Sequence, residues 1–382
     1  MAFTSIRLGG ENIIIGPDSL SWLAQIKGRH AVIVSSRSIV HLGYYDQAVK
    51  LLNSAGLSVK GYFDYGLNPS FEETLEGANF LINENPDLLI AIGGGTVMDI
   101  AKLMWVLYEN VSIDTLDELR LKMDSLVLGK KAKFICIPTT SGSASEVSKS
   151  SVITDSISQK KVPIRNLAMV PTIAILDPKL TLSLPRKITA ETGMDALAHH
   201  IESLVSTHAN PISDALTRSA AIDAIEWLPI AYEDGSNLIA REKMMFVSTM
   251  GGLAFSAASL GLSHGIAHAI GARLEISHGI LNSILLPRVI RFNYANDLAY
   301  SKYLSVSQHF GSDDLSQIVF DLRKRLELPA TIREVINDDQ SFEDQLTVMI
   351  QDVADDGLTK LNCVQPNLSQ IKGLLHDAYY GC

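Results

Sequence analysis

The sequence predicts an α/β protein whose first half is a doubly wound, mostly parallel sheet and whose second half is all helical. Two observations carry this. Short β-rich runs alternate with helically spaced segments up to about Pro185, and beyond it apolar residues recur every 3.6 residues with no convincing strand. In chain order the expected strands are AVIVSS (31–36), VKGYF (59–63), DLLIAIGGG (87–95) and KFICIP (133–138), each bounded by Gly, Pro or Asn. Between them, YYDQAVKLLNSAG carries helical spacing. Runs such as LLIAI and FICIP are continuously apolar, as parallel strands covered by helices on both faces are. The turn-rich passage LDPKLTLSLP marks a boundary, giving expected domains 1–185 and 186–382. In the second, TAETGMDALAHHIESLVS and ISDALTRSAAIDAIEWLPIAYEDG read as amphipathic helices. The N-terminal IRLGGENIIIG reads as an edge strand and suggests a homodimer or larger homo-oligomer.

Composition bounds the function. At 382 residues and 47% hydrophobic content the chain can fill the cores of two domains. A net charge of -10 and a pI near 5.5 argue against nucleic acid or an anionic membrane as partner. No basic leader and no apolar run of bilayer length is present, so a cytoplasmic location is expected. Cys136, Cys363 and Cys382 are widely spaced and form no Cys-x-x-Cys pair, which points to packing rather than a disulfide or thiolate site.

Gly93-Gly94-Gly95-Thr96 directly follows the strand DLLIAI and opens the helix VMDIAKLMWVLYE. Unpaired amides at a helix start, with the positive end of its dipole, suit a diphosphate, and glycines let it approach the backbone. Taken alone, the run also fits a tight turn, and it is not the G-x-G-x-x-G fingerprint. Asp99, in the first helical turn, fits a residue that steadies the helix N-terminus. A second loop, Pro138-Thr139-Thr140-Ser141-Gly142-Ser143, leaves the strand KFICIP at the same sheet edge, where open α/β sheets bind ligands. The first domain is therefore expected to offer a phosphate site at the carboxyl edge of a doubly wound, Rossmann-like sheet.

Six of the ten histidines, His199, His200, His208, His264, His268 and His278, fall between residues 199 and 278. One helical histidine is most often a packed core residue; this clustering calls for more. Asp195 and His199 stand at i and i+4 on one helix face, and His264 and His268 repeat that spacing. Imidazoles with a carboxylate and no thiolate suit Fe(II), Zn(II), Mn(II) or Ni(II) rather than Ca(II) or Mg(II). Spacing leaves open which of His264 and His268 is the ligand. His200, about 100° round the helix from His199, is expected to be structural. A metal so held is a Lewis acid toward an alcohol or carbonyl oxygen.

Four segments, AIGGGTVMDIAK, PTTSGSASEV, LTLSLPRKITAETGMDALAHHIE and LSHGIAHAIGARLEISHGILNSILLPRVIRFN, resemble the iron-containing (group III) alcohol dehydrogenase family, its 1,3-propanediol dehydrogenases and the alcohol dehydrogenase domain of bifunctional aldehyde-alcohol dehydrogenases included. The resemblance runs from about residue 5 to the end. It implies a metal-dependent NAD(P) alcohol dehydrogenase or aldehyde reductase acting on a small primary alcohol or diol, with Fe(II), Zn(II) or another divalent ion. It implies Asp195, His199, His264 and His278 as metal ligands and His268 as the histidine that relays the alcohol proton near the nicotinamide. It further implies Gly94, Gly95, Thr96 and Asp99 at the diphosphate, Thr139 and Thr140 against the cofactor, Asn68 and Lys161 lining its cleft, and Phe255 at the substrate pocket.

Three positions depart from the family pattern. Ser36 followed by Arg37 stands where many NAD-using members carry Asp; Ser and Arg can accept a 2′-phosphate, which favours NADP while keeping NAD open. Ala144 replaces the commonest Gly, and Gln365-Pro366-Asn367 replaces the usual Asn-Pro-Arg. The wider superfamily also holds dehydroquinate synthase and glycerol-1-phosphate dehydrogenase. Their phosphorylated substrates would want several Lys and Arg near the ligands, and these segments offer mainly Arg273. A metal-free nucleotide-binding scaffold is the non-enzyme alternative.

Overall fold

The computed structural model describes residues 8–66, 68–156 and 161–381. Residues 6 and 7 of the expected N-terminal strand, and Cys382, lie outside them. The chain forms two compact units, Met1–Leu184 and Pro185–Cys382.

In the first unit the strands are β1 (Asn12–Ile15), β2 (His30–Ser35), β3 (Ser58–Tyr62), β4 (Leu88–Gly93), β5 (Lys133–Pro138), β6 (Ser150–Thr154), β7 (Lys161–Arg165) and β8 (Ile173–Leu176). Six of them form one sheet in the order β1-β8-β5-β4-β2-β3, every pairing parallel, while β6 and β7 make a separate antiparallel hairpin. The strand runs expected from the sequence are β2 to β5, with ends shifted by at most two residues. The hairpin and β8 were not anticipated: β7 contains Pro163, which argues against a strand, and β8 is four residues running into a turn-rich segment.

All six residues of β2 and of β4 are buried, because alternate side chains feed two cores. Ala31, Ile33, Leu88, Ile90 and Ile92 pack on one face with Leu20, Leu23, Ala48 and Leu52. Val32, Val34, Leu89 and Ala91 pack on the other with Met98, Ala101, Met104 and Trp105. Those last four belong to the helix Gly95–Glu109.

The chain passes from β2 to its neighbour β3 and then back across to β4 on the other side of β2, so the winding reverses between β2 and β4. Such a reversal parts the loops at the carboxyl edge and opens a crevice there. Register sets the edge residues level: Ser35 pairs with Ile92, and Gly93 with Pro138. Ser36, Gly94 and Thr139 therefore all leave the sheet at one edge, and the Thr139 amide donates to Gly93 O at 3.0 Å.

Among the described residues the second unit is helical throughout. Its principal helices are Arg186–Val205, Pro211–Glu233, Leu238–Ala258, Leu262–Leu274, His278–Asn293, Asp339–Asp355 and Leu368–Tyr380. Local chemistry places their starts. Asn210 caps Pro211–Glu233 with a capping box and a proline in the first turn, and Ser277 accepts from the Ile280 amide to start the helix that opens with His278. Two apolar clusters fill the unit, one centred on Met194, Leu197, Ile201 and Leu228, the other on Leu262, Ile266, Leu281 and Phe342.

Gly279 lets two site-bearing helices touch. A Cβ there would lie 2.4 Å from the carbonyl oxygen of Glu191 in Arg186–Val205, closer than real contacts allow. Gly279→Ala should lower the unfolding free energy by about 1–3 kcal/mol, as overpacking does; an unchanged urea midpoint would show that the backbones do not meet as described.

Candidate functional site

One helix face carries most of the polar residues. On Arg186–Val205, Asp195, His199 and Glu202 stand at i, i+4 and i+7, hence on one side. The donor atoms of Asp195, His199 and His264 lie within 4.8 Å of one another. The His199 and His264 rings are nearly parallel with centroids 4.8 Å apart, and His264 Nε2 is 3.5 Å from Asp195 Oδ1. The His278 ring lies 5.2 Å from that of His268, and His268 stands edge-on to His264 at 6.2 Å. Phe255 covers His199 with centroids 4.8 Å apart. Three of the sequence-expected ligands, Asp195, His199 and His264, are thus brought together beside the pocket aromatic, while the fourth, His278, stands next to the relay histidine His268 and outside that group of three. His200 turns away, buried, with Nε2 on Val247 O at 2.7 Å; burial brings its pKa down to about 4.

The electrostatics suit a cation. Burial alone would push the Asp195 carboxyl up, but His199, His264 and His278 around it hold it well below the usual carboxylate range. Burial would depress His264, yet the carboxylates of Glu202 and Asp195 carry its pKa up to about 10. A tetrahedral site with bonds near 2.1 Å separates its donor atoms by roughly 3.4 Å. His264 Nε2 and Asp195 Oδ1, 3.5 Å apart, already stand at about that spacing. Buried nitrogen and oxygen donors without thiolate are the set that a borderline divalent ion takes.

Three supporting residues escaped the sequence reading. Glu202, 2% exposed, accepts the amides of Ser263 and His264 through Oε1 at 2.6 and 3.2 Å, and holds His264 Nδ1 through Oε2. It caps the helix Leu262–Leu274 and orients one of its histidines together. The Asn282 amide bridges Asp195 Oδ1 at 2.8 Å and His264 Nε2 at 3.1 Å. Asp356 Oδ2 sits 3.6 Å from His268 Nδ1, while Oδ1 accepts the Leu358 and Thr359 amides. Gly265 allows that turn in, since a Cβ there would meet Thr359 Oγ1 at 2.2 Å. The i, i+4, i+7 spacing could have found Glu202; no local signal marks Asn282 or Asp356.

The segment Gln365-Pro366-Asn367 is occupied elsewhere. Gln365 Nε2 donates to the carbonyls of Lys360 and Asn362, and Asn367 caps the helix Leu368–Tyr380. It is Asn362, buried beside the start of Leu262–Leu274, that accepts the Leu262 amide at 3.3 Å.

In the first unit the helix Gly95–Glu109 starts at Gly94 with no side-chain cap, leaving its first amides to a ligand or water. Gly94 and Gly95 are glycines for a steric reason. A Cβ on Gly94 would lie 3.3 Å from Thr140 Cγ2, and one on Gly95 would lie 2.9 Å from the Ser143 side chain. The glycine turn and the Thr139–Ser143 loop therefore close on each other at the helix start, where unpaired amides favour an anion. Thr96 is exposed, Thr139 buried and Thr140 half-buried at this edge. Asp99 turns inward, accepting Ser145 Oγ at 2.6 Å and the Val152 amide at 2.9 Å. Asn68 is exposed next to Pro69, whose carbonyl accepts the Thr154 amide, and Thr154 pairs with Lys161. Ser36 occupies the N-cap position of the short helix Arg37–His41, its Oγ 2.8 Å from Ser38 Oγ, with Arg37 exposed.

Comparison with known proteins agrees along the whole length. A family model for iron-containing alcohol dehydrogenase matches residues 10–178, and one for the C-terminal part of the Fe-containing alcohol dehydrogenase family matches residues 189–379. The NADPH-dependent butanol dehydrogenase of Clostridium saccharobutylicum is 36% identical over all of this chain and 98% of its own length. The bifunctional aldehyde-alcohol dehydrogenase AdhE of Escherichia coli is 33% identical over 92% of this chain, which spans 43% of that longer protein. The solved iron-containing alcohol dehydrogenase of Thermococcus thioreducens superposes with a TM-score of 0.91 at 32% identity, over 99% of this chain and 100% of that one. With two matching family models and a relative that covers it end to end, this chain belongs to the iron-containing alcohol dehydrogenase family.

Proposed function

We propose that this alcohol dehydrogenase binds a divalent ion, Fe(II) or Zn(II), through Asp195, His199, His264 and His278, and interconverts a small primary alcohol or diol and its aldehyde with NADP or NAD held by the first unit. The observation that carries this is the buried gathering of Asp195, His199 and His264 donor atoms, with His278 close enough to act on the same carboxylate. Held by that set, a divalent ion would supply Lewis-acid polarisation of an alcohol or carbonyl oxygen, and a bound nicotinamide would supply the hydride acceptor or donor.

The remaining work falls to side chains. Glu202 accepts from Nδ1–H of His264 and so aims Nε2 at Asp195, the atom that would take an ion once the ring gives up its second proton. To His268, more exposed than His264 and paired with Asp356, we give the relay of the alcohol proton outward. Phe255 supplies an apolar wall beside His199. Arg273, the basic residue within the ligand-bearing segment 262–278, is already engaged with Asp352 at 2.6 Å, which favours an uncharged alcohol over a phosphorylated substrate. Arg37 beside Ser36 supports NADP, in keeping with the NADPH dependence of the Clostridium relative. We place the enzyme in the cytoplasm as a homodimer or larger homo-oligomer, with β1 at the sheet edge as the pairing strand; no single helix among the described residues is long and apolar enough to cross a membrane.

Chelator-treated protein should lose alcohol oxidation and regain it on adding Fe(II) or Zn(II) without oxygen, and Glu202→Gln should need roughly 10- to 100-fold more metal to do so. Activity that survives complete metal removal would end this reading. In paired assays Arg37→Ala should raise KM for NADPH by roughly tenfold and leave KM for NADH unchanged; a wild-type preference for NADH would contradict the role given to Arg37.

A further inference from the structure

Residues 139–149, between β5 and β6, contain neither helix nor strand, yet most of them are buried. Buried irregular backbone must find partners for its carbonyls and amides. Much of the answer is one side chain on the glycine-turn helix. Lys102 is fully buried, and its Nζ donates to Ser145 O at 2.9 Å, Ser148 O at 3.0 Å and Ser150 O at 2.7 Å, with Ser145 Oγ at 3.0 Å and Ser148 Oγ at 3.4 Å. Two carbonyls from the loop and one from the first residue of β6 call for the three N–H groups of an ammonium; a neutral amine has only two.

A buried charge is a poor device for stability alone, since a well-packed apolar side chain often serves as well. What converging carbonyls do is hold the path of the loop. Asp99, three residues earlier on the same helix, ties down the same loop through Ser145 Oγ and the Val152 amide. Ala144, directly before the first of these anchors, is held at φ +55°, a left-handed conformation that persists only where its surroundings enforce it. At its other end the loop lays Thr140 against Gly94 and Ser143 against Gly95.

We propose that Lys102 is a positioning residue for the dinucleotide: its buried ammonium gathers the carbonyls of Ser145, Ser148 and Ser150, and so keeps Thr139–Ser143 against the glycine turn in the shape that receives the diphosphate. The inference rests on the cofactor-binding reading of the first unit. Charge and contact class are the point, so Met, which matches the length of Lys without its donors, is the informative replacement.

The test is titration of the full-length protein with NADPH and NADH, followed by nicotinamide fluorescence, for wild type, Lys102→Met, Ser145→Ala and Gly95→Val. Lys102→Met should weaken cofactor binding roughly tenfold or more and Ser145→Ala by a smaller factor, with KM for the alcohol, kcat at saturating cofactor and bound metal unchanged. Should Lys102→Met fail to fold, Ser145→Ala decides, weaker cofactor binding supporting the role. The proposal is overturned if Gly95→Val loses the cofactor while every folded variant at Lys102 and Ser145 binds it as wild type does. It is equally overturned if Lys102→Met lowers kcat and leaves cofactor affinity alone. Wild-type binding by Gly95→Val would instead bring down the cofactor reading beneath it.

Discussion

The carboxylate of Glu202 serves two helices at once. One oxygen accepts the first amides of Leu262–Leu274, which otherwise would be left unpaired in a dry interior; the other takes Nδ1 of His264. Removing it would leave a helix end and an imidazole buried without partners, and a buried unsatisfied group costs about 1–3 kcal/mol. The same contact aims His264 Nε2 at Asp195, which stands on the same face of the helix that carries Glu202 itself. Folding of the second unit and the shape of its polar site therefore depend on one ion pair. Asn282 and Asp356 extend this arrangement, each holding a site residue from a different helix or turn.

The first unit solves a different problem with backbone. Its parallel sheet buries β2 and β4 completely, so nothing on those strands is available for chemistry except their carboxyl ends. There the reversal of winding between β2 and β4 brings Ser36, Gly94 and Thr139 level, and glycines let a second loop close on the helix start. Charges inside this unit, Lys102 and Asp99, face the loop rather than solvent, which is how an irregular segment keeps one conformation.

What could be read from the sequence follows from these physical differences. Continuous apolar runs and 3.6-residue spacing are local properties, so β2 to β5 and the helical second half were legible. Asp195 and His199, four residues apart, declared a shared face in the same way. The contacts that join distant segments left no local trace: Asn282 and Asp356 reach the site from other helices and turns, and Lys102 reads in sequence as an ordinary helical lysine. The choice between His264 and His268 could not come from spacing, because both lie on one face of their helix. Three-dimensionally they differ sharply, His264 being buried against Asp195 and His199 and His268 being more exposed beside Asp356.

The central claim is the membership of the metal site, and crystals of Fe(II)- or Zn(II)-loaded protein measured at the metal absorption edge test it most directly. The account predicts one anomalous peak about 2.0–2.2 Å from a carboxylate oxygen of Asp195 and from one imidazole nitrogen each of His199, His264 and His278, with His268 outside bonding distance. A peak bound by His268 in place of His264, or no peak among these residues, would contradict it.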